Sequence, residues 1–415
     1  MFWRNLQEST LMNKTILKKA VEEFGSPIYL YDLELFQNNI DILKENLFFD
    51  SGLFFSMKAN PLPEFCKIAN QKNCGVEVAS GGELQLAFHA GIEPEHIVFT
   101  GPGKTYQELW EAIKSGIYMI NVESVKEMET IHKLAKRTGR VVSVALRINP
   151  CIQMPIGKIQ MGGTASQFGI EETELNEELF EKISNMTNIC LEGIHIYMAT
   201  SILDSDEICK NTEYAIRLGL QLVNKYSIHL NYLNVGGGFG IPYFRGEKAL
   251  DIMKFGMKMK ILQQKYGKQL QKTKVYFESG RFLLAECGLF LIRVLYRKES
   301  KGNTYLVCDG GSSFHASSAF LGRFVRGNFP MYVLGKTGAE KSFYVTGPSC
   351  TPTDLLGQNV KLPESTKEGD IIVIEKSGAY GLTYSPYGFL HHRLPLEIGY
   401  DEEKGFRVLG NHIED

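Results

Sequence analysis

Between residues 37 and 285 the chain repeats one pattern eight times: a short apolar run with strand character, then room for an amphipathic helix. The runs lie at 53–57, 75–78, 97–100, 118–122, 141–148, 189–196, 232–235 and 274–278. Helix-like stretches fall at 82–90, 106–115, 125–138, 173–185 and 205–226. Eight β/α units in about 240 residues predict an α/β fold, a (β/α)8 TIM-like barrel. A doubly wound open sheet is the alternative, but it generally uses fewer strands.

After residue 286 the texture changes. Short strand-like runs at 289–296, 304–308, 331–334, 342–345 and 369–375 are separated by Gly, Pro, Asn and Lys, without long helical periodicity. This predicts a C-terminal all-β domain, a β-sandwich or β-barrel. The apolar run 27–32 precedes the barrel and is expected to complete that domain. The predicted division is 37–285 for the barrel and 1–36 with 286–415 for the β domain.

Bulk properties exclude several classes. The chain is 44% hydrophobic and 22% charged with a net charge of -2, which gives no basic field for nucleic acid or anionic membrane. No apolar run reaches the roughly 18–20 residues of a membrane span. Residues 1–15 carry Arg4, Glu8 and Lys14 and no apolar signal core, so a cytoplasmic location is expected. None of the eight cysteines forms a Cys-x-x-Cys pair or has histidines at zinc-finger spacing. No disulfide and no metal are expected, and most cysteines should be buried apolar residues.

Polar residues at the ends of the predicted barrel strands carry the chemistry, because that face holds the active site of such barrels. Lys58 follows the first strand and precedes the strand-stopping Asn60-Pro61 step. A lysine there forms a Schiff base with a carbonyl compound, or it is one of many ordinary strand-end lysines. Gly236-Gly237-Gly238 follows the seventh strand. Lacking Cβ atoms, this run lets backbone N–H groups approach a phosphate, or it makes a tight turn. Glu278-Ser279-Gly280-Arg281 ends the eighth strand. Glu278 suits a pyridine nitrogen and Arg281 a phosphate, or the two form a structural ion pair.

His195 ends the sixth strand and offers a flat ring for stacking, or is a satisfied core histidine. Glu77 and Arg147 orient a bound group, or form a rim salt bridge. In the β domain the polar, Pro-bracketed loop Gly347-Pro348-Ser349-Cys350-Thr351-Pro352-Thr353-Asp354 makes a poor core element, and Tyr380 in Ser377-Gly378-Ala379-Tyr380-Gly381 offers a hydroxyl to a phosphate.

Together and in this order, these segments resemble the alanine racemase-like, fold-type III pyridoxal phosphate decarboxylases, over about residues 20–400. The family includes diaminopimelate, ornithine and arginine decarboxylases. The resemblance implies pyridoxal 5'-phosphate as cofactor, with Lys58 as its Schiff-base lysine and His195 stacked on its ring. Gly236, Gly237, Gly238, Gly280, Arg281 and Tyr380 would hold its phosphate, and Glu278 would face its ring nitrogen. Glu77 and Arg147 would complete the cofactor site.

Cys350 would act as the proton donor from across a dimer interface, so the resemblance also implies a homodimer with shared active sites. Thr351, Asp354, Arg323 and Tyr387 would contact the substrate, and Arg326 is a second candidate for its distal arm. Retention of Lys58, Glu278, Arg281, Tyr380 and Cys350 argues against a non-catalytic regulatory relative, and the Gly-Pro-Ser-Cys loop fits a decarboxylase better than a racemase.

Met161-Gly162-Gly163, Gln167-Phe168-Gly169, 294–298 and Cys350-Thr351-Pro352 narrow the resemblance to one subgroup. Its members decarboxylate L-glutamate held as a thioester on an acyl-carrier protein in antibiotic biosynthesis, or citryl-diaminopropionate in siderophore biosynthesis. The first is the expectation here; a diaminopimelate- or ornithine-type enzyme is the alternative. Relatives acting on free diamino acids carry an acid after the cysteine, where this chain has Thr351. A buried distal ammonium there would lose a partner worth about 3–5 kcal/mol. Asp354 remains in the same loop and weakens the argument. The loop Tyr197-Met198-Ala199-Thr200-Ser201 and Glu77 both depart from the usual family residues.

Overall fold

A computed structural model describes residues 12–47, 51–152, 159–160, 162–319 and 327–410. Met161, Arg323 and Arg326 lie outside them. The chain forms two compact units, one of residues 39–241 with 248–282 and the other of 1–38, 242–247 and 283–415. The grouping of 242–247 with the second unit has no counterpart in the reading along the chain, because a six-residue excursion carries no periodicity of its own.

In the first unit eight parallel strands close on themselves. They are β2 (Ser51–Ser56), β3 (Gly75–Val78), β4 (Ile97–Phe99), β5 (Met119–Val122), β6 (Val142–Asn149), β7 (Ile189–His195), β8 (Tyr232–Asn234) and β9 (Lys274–Ser279). Each pairs in parallel with the next, β6 with β7 across a longer connection, and β9 returns to β2. All eight fall on the predicted runs, to within two residues at either end. This is the expected (β/α)8 barrel.

Helices lie between the strands: α3 (Pro63–Gln71), α4 (Gly81–His89), α5 (Tyr106–Ser115), α6 (Val125–Thr138), α7 (Glu177–Ser184), α8 (Ser205–Tyr226) and α9 (Ile252–Tyr266). Their starts are written locally. Ser80, Thr105, Ser124 and Asn176 each accept a hydrogen bond from the backbone N–H three residues on. The helix expected over 173–185 is split for this reason: a short 3-10 turn, Glu172–Glu174, ends, and Asn176 caps a new helix.

The barrel interior beneath the strand ends is filled by Phe54, Val98, Met119, Ala145, Tyr232 and Tyr276. Phe54 stacks on Tyr276 at 4.8 Å between ring centroids, and Tyr118 and Tyr276 share a 2.8 Å hydroxyl contact. The aromatic layer makes this a packed core, so polar chemistry is confined to the strand ends above it.

The second unit holds one mixed nine-stranded sheet rather than two separate sequence-adjacent layers. Its strands are β1 (Ile28–Asp32), β10 (Gly288–Ser300), β11 (Asn303–Cys308), β12 (Met331–Val333), β13 (Glu340–Thr346), β14 (Leu355–Pro363), β15 (Ile371–Ile374), β16 (Leu396–Asp401) and β17 (Gly405–Val408). β1 sits inside the sheet, antiparallel to β10 and parallel to β16. α1 (Lys14–Phe24) packs Leu17, Ala20 and Val21 onto Ile28, Leu30, Leu291, Val373 and Ile398. α2 (Leu33–Glu45) leads from β1 toward the barrel. No helix among the described residues is long and apolar enough to cross a membrane.

Candidate active site

Three neighbouring barrel strands bring polar side chains to one level. Arg147 on β6 and Asn234 on β8 both pair with His195 on β7, between them. Beyond that level, β9 carries Glu278 and β2 turns into the 3-10 segment Met57–Ala59 that holds Lys58. Alternation of side chains along each strand aims every second residue into the barrel mouth.

Lys58 Nζ lies 2.8 and 2.9 Å from the two carboxylate oxygens of Glu77. The lysine side chain remains 38% exposed while Glu77 is 1% exposed, so a buried carboxylate holds an accessible ammonium. The Tyr197 ring lies 5.8 Å from the same Nζ, placing the loop that departs from the family beside the lysine. Gly280 makes room for this turn, since a Cβ there would sit 2.6 Å from the Ala59 methyl and 3.0 Å from the Ser56 carbonyl. Arg281 opens a four-residue helix immediately after it.

Glu278 Oε1 accepts a 2.8 Å hydrogen bond from Asn234 Nδ2 and lies 3.4 Å from His195 Nε2. Burial, reinforced by the Glu77 carboxylate, pushes Glu278 up from 4.5 to about 8. His195 is driven the other way, well below 6.5, by burial and by the charges of Arg147, Lys58 and Lys104. The imidazole is therefore neutral, and neither ring nitrogen has a hydrogen-bond partner.

Arg147 and Glu77 do not form the anticipated rim salt bridge. Arg147 Nη1 instead donates to Glu123 Oε1 at 2.6 Å, and the other oxygen of Glu123 accepts from the Gly169 N–H at 3.1 Å. Arg147 also lies over the Phe168 ring at 4.6 Å, so Phe168-Gly169 is a strut for the arginine. Lys104, 1% exposed, pairs with Glu127 at 2.8 Å and donates to the Gly101 and Asn121 carbonyls.

Glu123, Lys104 and Asn234 escaped the sequence reading. Each had a signal: a polar residue within an apolar strand, or just past its end on the active face.

The glycine run is wedged between strand ends. A Cβ on Gly237 would stand 1.9 Å from the Glu278 carbonyl oxygen, and the Glu278 N–H donates to the Gly236 carbonyl at 2.8 Å. Gly236 and Gly238 adopt φ of 69° and 90°. Glycine is required here by close approach on β9 as well as by backbone conformation.

In the other unit, Cys350 is exposed on its loop. Asp354 is 2% exposed, and its carboxylate bridges its own loop and the segment at Ser312. Oδ1 accepts from the Ser312 N–H at 2.6 Å and Oδ2 from the Ser349 N–H at 2.8 Å. Thr351 shares a 2.8 Å contact with the Thr353 hydroxyl. Tyr380, at φ 55°, accepts at its carbonyl from Ser317 Oγ. Tyr387 is exposed.

Residues 35–285 match the model of the pyridoxal-dependent decarboxylase, pyridoxal binding domain. The chain belongs to the pyridoxal-dependent decarboxylases. It is 40% identical over 394 residues to the L-glutamyl-[BtrI acyl-carrier protein] decarboxylase of Niallia circulans, covering 93% of this chain and 91% of the relative. It is 28% identical over 377 residues to the 2-[(L-alanin-3-ylcarbamoyl)methyl]-2-hydroxybutanedioate decarboxylase of Staphylococcus aureus, covering 88% and 92%. Diaminopimelate decarboxylase from Helicobacter pylori, solved with L-lysine, superposes with a TM-score of 0.83 at 26% identity over 95% of both chains.

The family's cofactor is pyridoxal phosphate, and the barrel mouth of this chain suits it. An accessible lysine, a buried neutral imidazole and a buried proton-retaining carboxyl supply the chemistry that a flat, aldehyde-bearing, basic ring would use.

Proposed function

We infer that the protein removes the α-carboxylate of an amino acid whose distal end is conjugated, and that this substrate is L-glutamate carried as a thioester on an acyl-carrier protein. The loop after Cys350 carries the inference. Thr351 is neutral, and both oxygens of Asp354 accept backbone N–H groups. The one carboxylate in that loop is thus engaged, which favours a substrate without a distal ammonium over a free diamino acid. Similarity to the carrier-dependent relative supports the same reading.

Pyridoxal phosphate, when bound, supplies an electron sink for the pair left at Cα as CO2 departs. Lys58 would hold it covalently, with Glu77 balancing the lysine's charge. Gly236, Gly237, Gly238, Arg281 and Tyr380 would hold its phosphate, and His195 would cover one ring face. Glu278, whose buried carboxyl keeps its proton, would serve the ring nitrogen as proton source and counter-charge. Asn234 keeps Glu278 in place through the 2.8 Å amide contact. Cys350 delivers a proton to Cα, so that amino acid and one proton become amine and CO2. The working form in this reading is a cytoplasmic homodimer in which each copy lends Cys350 to the other's site.

The test is CO2 release from the L-glutamyl thioester of a carrier protein, measured beside meso-diaminopimelate, ornithine, lysine, arginine and the substrate named for the Staphylococcus aureus relative. A preference of at least about 100-fold in kcat/KM for the thioester is expected, equivalent to roughly 2.7 kcal/mol. Equal or faster turnover of any free diamino acid would overturn the reading.

A further inference from the structure

α9 has an unusual outer face. Its inner side is buried through Ile252, Phe255, Met259, Leu262 and Tyr266. On the outside, Met253, Met257 and Ile261 are 54%, 61% and 59% exposed. Spaced at i, i+4 and i+8, they form one continuous apolar ridge. Scattered exposed apolar residues need no explanation, but a ridge running over two turns marks a contact surface.

Within α9 itself the charge has one sign, and the acids Asp206 and Glu213 beside it on α8 are engaged by its lysines. From residue 252 to 277 the chain has seven lysines and no aspartate or glutamate, although its net charge is -2. Lys254 and Lys258 bind Asp206 at 2.9 and 2.8 Å, and Lys265 binds Glu213 at 2.7 Å, which ties α9 to α8. Lys260, Lys268 and Lys272 are exposed along and beyond the ridge. A surface that is apolar along its crest and positive along its flank complements a partner with an apolar patch ringed by acids.

Position links this face to the catalytic end of the barrel. The turn after α9 enters β9 at Lys274, and β9 ends beside Glu278. The C-terminal end of α9 therefore lies at the closed end of the barrel. Its N-terminal end, with Met253 and Met257, lies toward the end bearing Glu278 and His195. At 1.5 Å per residue the whole helix spans about 22 Å.

We propose that the outer face of α9 docks the carrier protein that presents the thioester-bound amino acid, through an apolar patch ringed by acids on the carrier. This rests on the functional reading above and adds the surface by which the carrier is recognised. Met257 and Ile261 supply the apolar contact, and the exposed Lys260, flanking the ridge, supplies the charge.

The test compares one acyl group on two carriers. Holoenzyme is given L-glutamyl-BtrI acyl-carrier protein and, separately, the L-glutamyl thioester of pantetheine. In Met257→Glu/Lys260→Glu, KM for the carrier-borne substrate should rise at least about tenfold while kcat stays within about twofold. Both constants for the pantetheine thioester should stay within about twofold. Raising salt from about 50 to about 500 mM should raise the wild-type KM for the carrier-borne substrate only.

Unchanged kinetics on the carrier-borne substrate, or equal losses on both substrates, would overturn the docking proposal. So would a changed oligomeric state of the variant by light scattering, which would assign the ridge to a second copy of this chain. Wild-type turnover of the pantetheine thioester without turnover of the carrier-borne one overturns docking alone. Turnover of neither thioester overturns the functional reading, and docking falls with it.

Discussion

Lys58 Nζ is chelated by both oxygens of Glu77, at 2.8 and 2.9 Å, across the paired ends of β2 and β3. The partners differ sharply in exposure, so Glu77 is a fixed anchor and Lys58 the movable reactive end. After incubation with pyridoxal phosphate and borohydride reduction, mass spectrometry should find the cofactor on Lys58, and Lys58→Ala should carry none. Glu77→Gln should still be labelled at Lys58 but lose about 10–100-fold in kcat, through a poorly held lysine. Full activity in Glu77→Gln would show that the anchor is dispensable.

Glu278 makes the apoprotein sensitive to mild alkali. Its folded value, about 8, stands above the ordinary 4.5, so its protonated form adds stability that is complete below about pH 4.5 and drains away as pH rises through 8. Glu83, raised by burial to about 7, acts in the same direction. His195 acts oppositely: held well below 6.5, it costs stability as pH falls beneath 6.5. The net fall should therefore be clearest between about pH 6.5 and 8. Each pH unit separating folded and unfolded values is worth about 1.4 kcal/mol. Calorimetry should show the apoprotein Tm dropping over this window, with a shallower drop in Glu278→Gln. An identical pH profile in that variant would exclude Glu278 as the source.

Gly237→Ala should be among the most damaging single methyl additions in the barrel. The new Cβ would stand 1.9 Å from the Glu278 carbonyl oxygen, a contact only backbone movement relieves. A loss of about 3 kcal/mol or more is expected, read by urea unfolding. Any folded fraction should bind pyridoxal phosphate more weakly, because the glycine run and the Glu278 backbone shift together. Wild-type stability would mean that the strand ends give way more easily than their packing indicates.

Asp354 holds together the loop that displays Cys350. Asp354→Asn presents an NH2 group to one of two backbone donors now bound by carboxylate oxygens, at a cost of about 1–3 kcal/mol. The readout specific to the loop is the alkylation rate of Cys350 by iodoacetamide, located by peptide mapping. It should change several-fold, while the buried Cys66 and Cys74, whose thiols burial pushes up to about 12, stay unreactive in folded protein. An unaltered Cys350 rate would separate Asp354 from the loop's geometry.

Much of this was legible in the chain. The eight strand runs and the Ser, Thr and Asn helix caps are local signals, set by hydrophobic period and by side chains that bond their own backbone. Lys58, His195, Gly236, Gly237, Gly238 and Glu278 stood out through their joint order at the ends of apolar strands, since each taken singly is as well an ordinary strand-end residue. The strands Leu355–Pro363, Leu396–Asp401 and Gly405–Val408 were not legible. Their Gly, Asn, Lys and Glu residues resemble loop, and only pairing in the sheet makes them extended.

The sequence by itself determined the fold class, the family and several of the residues at the barrel mouth, though not Glu123, Lys104 or Asn234, because strand period and residue chemistry are properties of short segments. Which of those residues are partners was decided by tertiary structure alone. Glu77 meets Lys58, Arg147 meets Glu123 from 24 positions away, and Asp354 meets the backbone donors of Ser312 and Ser349. The physical reason is register. Strand pairing and backbone approach bring distant groups to within 3 Å, and a charge finds its partner only after those distances are set.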